Sequence, residues 1–343
     1  MTLQGTEAWE IVGAGGIGCA VGYALARGGA RVTFIETHRE KVEAGTRNGV
    51  QVAGLPPLPA RFLNFRDWSP DANSRLLLCL KSYDNQAVLA RIPAHRPLLS
   101  IQNGFDALLE SRNEPVEAIA SFVSECHPEQ PVTRLTRQGS LHIGGRGRET
   151  SGGSATIDAL VRALRSEGLF KVRVVPDVLP YKFSKLMYNA AISPLAAAGG
   201  LDNGTLLKPG PARRLFFAFL RENYGILRHA GKNLGKVGPF SPAVVQRILS
   251  RPWVAQSLAW AFYPSLKGRY CSMSLDLPAG KTEVENYNGY LIQLAGDYPC
   301  PLNRLTYELV KRMERERTPP AEELLASLER RYQSIMSVRM SAA

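Results

Sequence analysis

Residues 10–36 read EIVGAGGIGCAVGYALARGGARVTFIE, and this stretch decides the fold. Ile11 and Val12 end a short apolar run. Gly13-Ala14-Gly15-Gly16-Ile17-Gly18 follows, a GxGxxG, and then a helix of small residues that includes Cys19, Ala20, Gly22, Ala24, Leu25 and Ala26. Arg27-Gly28-Gly29-Ala30 closes that helix. Arg31-Val32-Thr33-Phe34-Ile35 reads as a second strand with Glu36 at its end, 18 positions past Gly18. A strand, glycine turn, helix, strand and then an acid about 20 residues on is the order a dinucleotide needs. Gly13 makes the tight turn. Gly15 lets backbone N–H groups approach a pyrophosphate at the positive end of the helix. Gly18 lets the helix pack on the strand. A glycine-rich turn on its own is only a turn; here every accompanying piece arrives in order. The candidate cofactor residues are Gly13, Gly15, Gly16, Ile17, Gly18, Glu36 and Thr37.

Totals bound what surrounds this unit. A length of 343 residues allows two domains, and a 45% hydrophobic share suits an ordinary core. No apolar run reaches the ~18 residues of a membrane span. Residues 1–9 (MTLQGTEAW) lack a basic start and an apolar centre, so no secretory signal is expected. Cys19, Cys79, Cys126, Cys271 and Cys300 are widely spaced, odd in number and form no CxxC. They read as reduced thiols of a cytoplasmic protein without a metal site. The net charge of +12 raises the question of nucleic acid. Its lysines and arginines are dispersed, however, which points to attraction of small anions such as a dinucleotide and a carboxylate.

Farther along, 38–44 patterns as a helix, 75–80 (RLLLCL) as a buried strand, and 97–101 as another that ends at Gln102-Asn103-Gly104. Strands are also expected at 119–123, 139–147 and 172–175, with helices at 84–92 and 155–167. Alternating strands and helices predict an α/β, Rossmann-type, doubly wound parallel sheet. Ligands of such sheets sit beyond the carboxyl ends of strands, where Lys81 and Asn103 lie. Beyond Pro176 the pattern becomes helical: 181–191, stopped by Pro194, then 212–230, 243–250, 253–262, 281–295, 303–316 and 321–336. The expected organisation is a dinucleotide-binding domain at 1–178 and an all-α domain at 179–337 for substrate and catalysis. Residues 337–343 are expected to fray.

A second constellation lies in the helical part. Lys185, Asn189 and Ser193 fall at i, i+4 and i+8, on one face of an otherwise apolar helix. A lysine there either snorkels to solvent or faces a cleft as a proton donor. Thr282-Glu283 is either a helix start, with its acid at the positive dipole end, or part of a site. Ser272 alone is an ordinary loop serine.

Taken together these stretches resemble the ketopantoate reductase (2-dehydropantoate 2-reductase) family. GAGGIG (13–18), Lys81, Gln102-Asn103-Gly104, KLMYN (185–189) leading to Pro194-Leu195, Ser272-Met273 with Asp276, Thr282-Glu283 and Pro301-Leu302-Asn303-Arg304 occur in the family's order. The resemblance implies a Rossmann domain followed by an all-helical one, with the active site in the cleft. It implies that Lys185 is the catalytic proton donor and Glu283 its catalytic partner. It makes Asn103 a residue near nicotinamide and ketone, and Lys81 a cofactor-side lysine. Asn189, Ser193 and Ser272 stand where the family binds substrate. Chemistry asks for such a set, because hydride delivery to a carbonyl builds negative charge on oxygen.

Several positions depart from the family. Ser193 replaces an asparagine. The stretch from Met273 to Glu283 is about one residue short of the family's spacing. Ser124-Glu125-Cys126-His127 replaces a Thr-rich strand end, bringing an extra acid. Glu36-Thr37 replaces a small residue followed by arginine. The family implies NADPH, whereas a carboxylate at the second strand's end favours ribose hydroxyls and so NADH; His38 or Arg39 is the alternative phosphate holder. The expected function is NAD(P)H-dependent reduction of a small 2-oxo acid, 2-dehydropantoate to pantoate first. Another 2-oxo acid or an imine is the alternative within the fold. A dinucleotide sensor without turnover is a third class, and the presence of both Lys185 and Glu283 argues against it. No nucleic-acid or membrane partner is expected, and a homodimer is admitted.

Overall fold

A computed structural model describes residues 7–147 and 154–341. Residues 1–6 of the stretch read for a leader, and 342–343 of the expected frayed tail, lie outside the described residues. The chain divides into two compact units between Leu179 and Pro180.

The first unit runs β1 (Ala8–Val12), α1 (Gly16–Arg27), β2 (Arg31–Glu36), α2 (Arg39–Asn48), β3 (Gln51–Val52), β4 (Arg61–Asn64) and β5 (Arg75–Leu78). It continues through α3 (Asn85–Leu89), β6 (Leu98–Ser100), α4 (Ala107–Ser111), β7 (Val116–Ala120), β8 (Val123–Cys126), β9 (Val132–Arg137), β10 (Ser140–Gly145), α5 (Ser154–Ala163) and β11 (Lys171–Asp177). One eight-stranded sheet has the order β11-β10-β7-β6-β5-β1-β2-β4. Its ladders are parallel except β7 with β10. Register lines up one apolar row, Phe34–Ile11–Leu77–Leu99, and a second, Ile35–Val12–Leu78. Successive residues face opposite sides of a strand, so the two rows feed two separate cores. Both faces are buried, which is why these strands are continuous apolar runs rather than alternating ones.

A small three-stranded sheet, β3-β9-β8, packs beside α1. The sequence reading did not anticipate it, nor β4. The strand expected at 119–123 is two strands, β7 and β8, with Ser121 and Phe122 turning between them. Val132–Arg137 escaped notice because Thr133, Arg134, Thr136 and Arg137 make its pattern polar.

The second unit is helical: α6 (Leu179–Gly199), α7 (Pro211–His229), α8 (Pro242–Leu249), α9 (Pro252–Leu266), α10 (Ser272–Asp276), α11 (Tyr290–Ala295), α12 (Pro301–Glu316) and α13 (Glu322–Ser341). Three expectations are corrected here. Pro194 does not stop α6, which continues to Gly199. The chain does not fray at Ser337, since α13 continues to Ser341. The helix expected at 281–295 also starts late: a π turn at Glu285–Gly289 precedes α11. No helix among the described residues is long and apolar enough to cross a membrane.

Candidate functional site

The glycine turn is held from both sides. Gly13 N donates to Ile35 O at 2.9 Å, and Cys79 N donates to Val12 O at 2.8 Å. Gly13 has φ +102°, a conformation that suits glycine, and a Cβ there would lie 2.9 Å from Leu80 N. A Cβ on Gly18 would lie 2.0 Å from Gly13 O, so α1 starts in direct contact with the turn. A Cβ on Gly16 would meet Ser124 Oγ at 2.7 Å, while one on Gly15 would meet nothing within 4 Å. Thus Gly15 caps α1 with open space on its side, and Ile17 is half-buried one residue into the helix.

Glu36 is buried at the end of β2, and its Oε1 gathers the next loop. Thr37 N donates to it at 2.7 Å, His38 N at 3.1 Å, and Thr37 Oγ1 and His38 Nδ1 lie at 3.2 and 3.0 Å. Burial pushes this carboxyl up. The His38 bonds, the Lys41 charge and the Thr37 N–H outweigh burial and hold it below the ordinary carboxylate range. Arg39 is turned to Glu43 at 2.7 Å along the exposed side of α2. Glu125, the extra acid, pairs with Arg134 of β9 at 3.1 Å.

Lys81 follows β5 and opens a short turn, Ser82–Asp84. Asn103 follows β6, half-buried. The two loops are joined by a buried amide pair that sequence reading missed: Asn85 Nδ2 donates to Gln102 Oε1 at 3.2 Å, and Gln102 Nε2 to Asn85 Oδ1 at 2.8 Å. Next to this clamp, Asn103 Oδ1 is buried with no hydrogen-bond partner among the described residues. An orphaned acceptor of this kind asks for a donor from outside the chain.

In the second unit, Lys185 and Asn189 are half-buried one turn apart on α6, and Ser193 is buried one turn on. Glu283 is 3% exposed, and Tyr287 Oη donates to its Oε2 at 3.0 Å. Asn189 hydrogen-bonds the same hydroxyl. Burial first, then the neighbouring Glu283 charge, pushes this phenol well above its ordinary value, so it stays protonated and donates. Glu283, Tyr287 and Asn189 therefore form one connected chain, and Lys185 sits one helical turn from its end. Thr282 Oγ1 accepts from Val284 N at 3.2 Å and donates to Glu314 Oε1 at 2.6 Å, just before the π turn. Glu283 beside it has its own partner in Tyr287. Ser272 is exposed at the start of α10; its neighbour Cys271 reaches Ser193 O with its Sγ at 3.5 Å. Tyr287 was the missed residue, and its signal was the i+4 spacing from Glu283.

Residues 9–145 match the family model described as Ketopantoate reductase PanE/ApbA, and 177–314 match its C-terminal counterpart. The chain belongs to the ketopantoate reductase family. It is an oxidoreductase that uses a nicotinamide dinucleotide and acts on a CH–OH group. The 2-dehydropantoate 2-reductase of Pyrococcus horikoshii is 25% identical over 313 residues, 89% of this chain and 96% of that one. The structure of a PanE/ApbA family ketopantoate reductase from Ralstonia eutropha JMP134 superposes with a TM-score of 0.70 at 22% identity, covering 90% of this chain and 99% of that one. A ternary structure of D-mandelate dehydrogenase with NADH and anilino(oxo)acetate gives 0.69 at 19% identity, with 90% and 99% covered. The family's dinucleotide suits the residues present: a glycine turn without side chains, an open helix start at Gly15, and an unpartnered buried acceptor at Asn103.

Proposed function

We propose that this chain reduces a 2-oxo acid, with 2-dehydropantoate its first candidate and pantoate the product. The observation that carries the reading is the buried Glu283–Tyr287–Asn189 chain, one helical turn from Lys185. A purely structural carboxylate needs no such chain to the polar stripe of α6 that carries Lys185. When bound, the dinucleotide supplies the hydride. Lys185 donates the proton to the ketone oxygen and stabilises the charge that develops there. Glu283 orients that ammonium, and the Tyr287 hydroxyl fixes Glu283. Asn189, Ser193 and Ser272 hold the substrate's carboxylate and hydroxyl. Asn103, with its buried Oδ1 unpartnered among the described residues, would stand on the nicotinamide side, and Gly13 to Gly18 would hold the pyrophosphate at the α1 N-terminus. Lys81 lies on the cofactor side.

Glu36 supports a relaxed or NADH-preferring enzyme. Its Oε2 would accept ribose hydroxyls, while its charge repels a 2′-phosphate. Arg39, the alternative phosphate holder, is engaged by Glu43. Comparing kcat/KM for NADH and NADPH decides this; strong preference for NADPH refutes it, and Glu36→Ala with Thr37→Arg should swing preference toward NADPH. Ser193 favours a second reading, a 2-oxo acid whose group near α6 is bulkier than that of 2-dehydropantoate, because serine leaves more room than asparagine. A panel of 2-oxo acids separates the two. A homodimer belongs to the same proposal: Trp253 and Trp260, seven residues apart on α9, are 73% and 81% exposed and offer an apolar face for a second copy. Light scattering tests it.

A further inference from the structure

Cys19 and Cys126 are 107 residues apart in sequence, yet their Sγ atoms lie 4.0 Å apart. Cys19 is fully buried in the first turn of α1. Cys126 is the last residue of β8 and is half-exposed. Both sulfurs point at one carbonyl, Ala14 O in the glycine turn, at 3.2 and 3.5 Å. Lys41 completes the cluster. It is 6% exposed, and its Nζ lies 3.4 Å from the same carbonyl and 3.8 Å from Cys126 Sγ. Glu36 is the other charge acting on the pair.

The two thiols are unequal. The bond to Cys126 first, and burial second, push the Cys19 thiol well up. The contact with Cys19 first, then the Lys41 charge, holds the Cys126 thiol below its ordinary value against burial. By contrast, burial pushes Cys79 up to about 12. A partly solvent-open thiol 3.8 Å from a buried lysine Nζ, with a second thiol 4.0 Å away, is the arrangement of an oxidisable pair.

We propose that Cys126 and Cys19 are a dithiol site for hydroperoxides, closing to an intramolecular disulfide beside the glycine turn. The Cys126 sulfur, giving up its proton, attacks a peroxide oxygen; the S–O bond forms, the O–O bond breaks, and the leaving oxygen takes up that proton and departs as water or an alcohol. Cys19 then attacks the Cys126 sulfenic sulfur. The S–S bond forms, the S–O bond breaks, and hydroxide leaves with the Cys19 proton as water. Two thiols are oxidised and one hydroperoxide is reduced. An S–S bond is about 2.05 Å, so the sulfurs close by about 2 Å, and the strand-end position of Cys126 is where that movement occurs. The site stands independently of which oxo acid the enzyme reduces.

The test uses the full-length reduced protein and hydrogen peroxide, with remaining thiols alkylated before mass analysis. The expected product loses two of its five thiols, is lighter by two hydrogens and yields one cross-linked peptide pair joining Cys19 to Cys126. Cys19→Ser should stop at a sulfenic acid on Cys126 that a dimedone probe traps. Lys41→Met should slow the reaction roughly tenfold, because the cation beside Cys126 Sγ is lost, while Lys41→Arg keeps the rate. Oxidation beginning at Cys79, Cys271 or Cys300 overturns the proposal, as does Cys126 over-oxidised with Cys19 still alkylated. The wild-type peptide map decides even where a variant does not fold.

Discussion

At the scale of single residues, the half-buried Lys185 carries the heaviest assignment. Lys185→Ala should keep the fold and dinucleotide binding and lower kcat by about 10²- to 10⁴-fold, the usual contribution of general acid catalysis. Near wild-type kcat would remove the role. Glu283→Gln should damage turnover more than dinucleotide affinity; fluorescence titration of NADH beside steady-state kinetics separates the two. Tyr287→Phe deletes one hydrogen bond to a buried carboxylate, worth about 1.5–3 kcal/mol, so kcat should fall roughly ten- to a hundredfold with dinucleotide affinity unchanged. Glu36 makes a prediction about pH. Its folded carboxyl titrates below its unfolded value of about 4.3, so its stabilisation is complete above that value and disappears as pH falls through the lower folded value. The difference in unfolding free energy between wild type and Glu36→Gln should therefore be largest near neutrality and shrink below about pH 4. A difference constant into acid would contradict the assignment.

At the scale of elements, α6 shows how a helix that carries a site can run through a proline. Pro194 has no N–H to return to Ala190 O, four residues earlier. Asn288 Nδ2 supplies that donor at 3.0 Å and also donates to Asn303 Oδ1 at 2.9 Å. Asn303 in turn donates to Asn223, whose Nδ2 reaches Met187 O at 3.0 Å. Buried amides thus clamp α6 on both sides of Asn189. Asn288→Ala should destabilise by about 1–3 kcal/mol. In a Pro194→Ala background the helix can supply its own N–H, and the cost should drop by about 1 kcal/mol. Chemical unfolding of the four proteins measures it, and equal costs in both backgrounds would show that Asn288 does not compensate for the proline. The same elements show what was legible in the sequence. β1, α1 and β2 could be read from 10–36 because glycine spacing and apolar runs are local signals. α6 past Pro194 could not, because its continuation depends on Asn288, 94 positions beyond that proline. The Asn85–Gln102 clamp was hidden for the same reason: the pairing of two loops is a property of the sheet order, not of either loop. Tyr287 could have been found from its spacing to Glu283. β9 could not, since its polar pattern gains a partner only when β8 and β3 flank it.

At the scale of the molecule, the net charge of +12 should draw anionic substrate and dinucleotide from a distance. kcat/KM for a carboxylate substrate should therefore fall as potassium chloride is raised past about 0.1 M, where the Debye length is ~10 Å. An unchanged value would limit recognition to short-range contacts. The two units divide the work in the proposed reaction, the first receiving the dinucleotide and the second supplying proton donor and substrate contacts. That division rests on one chemical claim, hydride transfer to a 2-oxo acid. Loss of NADH and NADPH absorbance across a panel of 2-oxo acids that includes 2-dehydropantoate tests it most directly. At least one member should turn over with kcat/KM of about 10⁴ M⁻¹s⁻¹ or more, 2-dehydropantoate foremost. A protein that binds the dinucleotide yet consumes it with no 2-oxo acid would contradict the account.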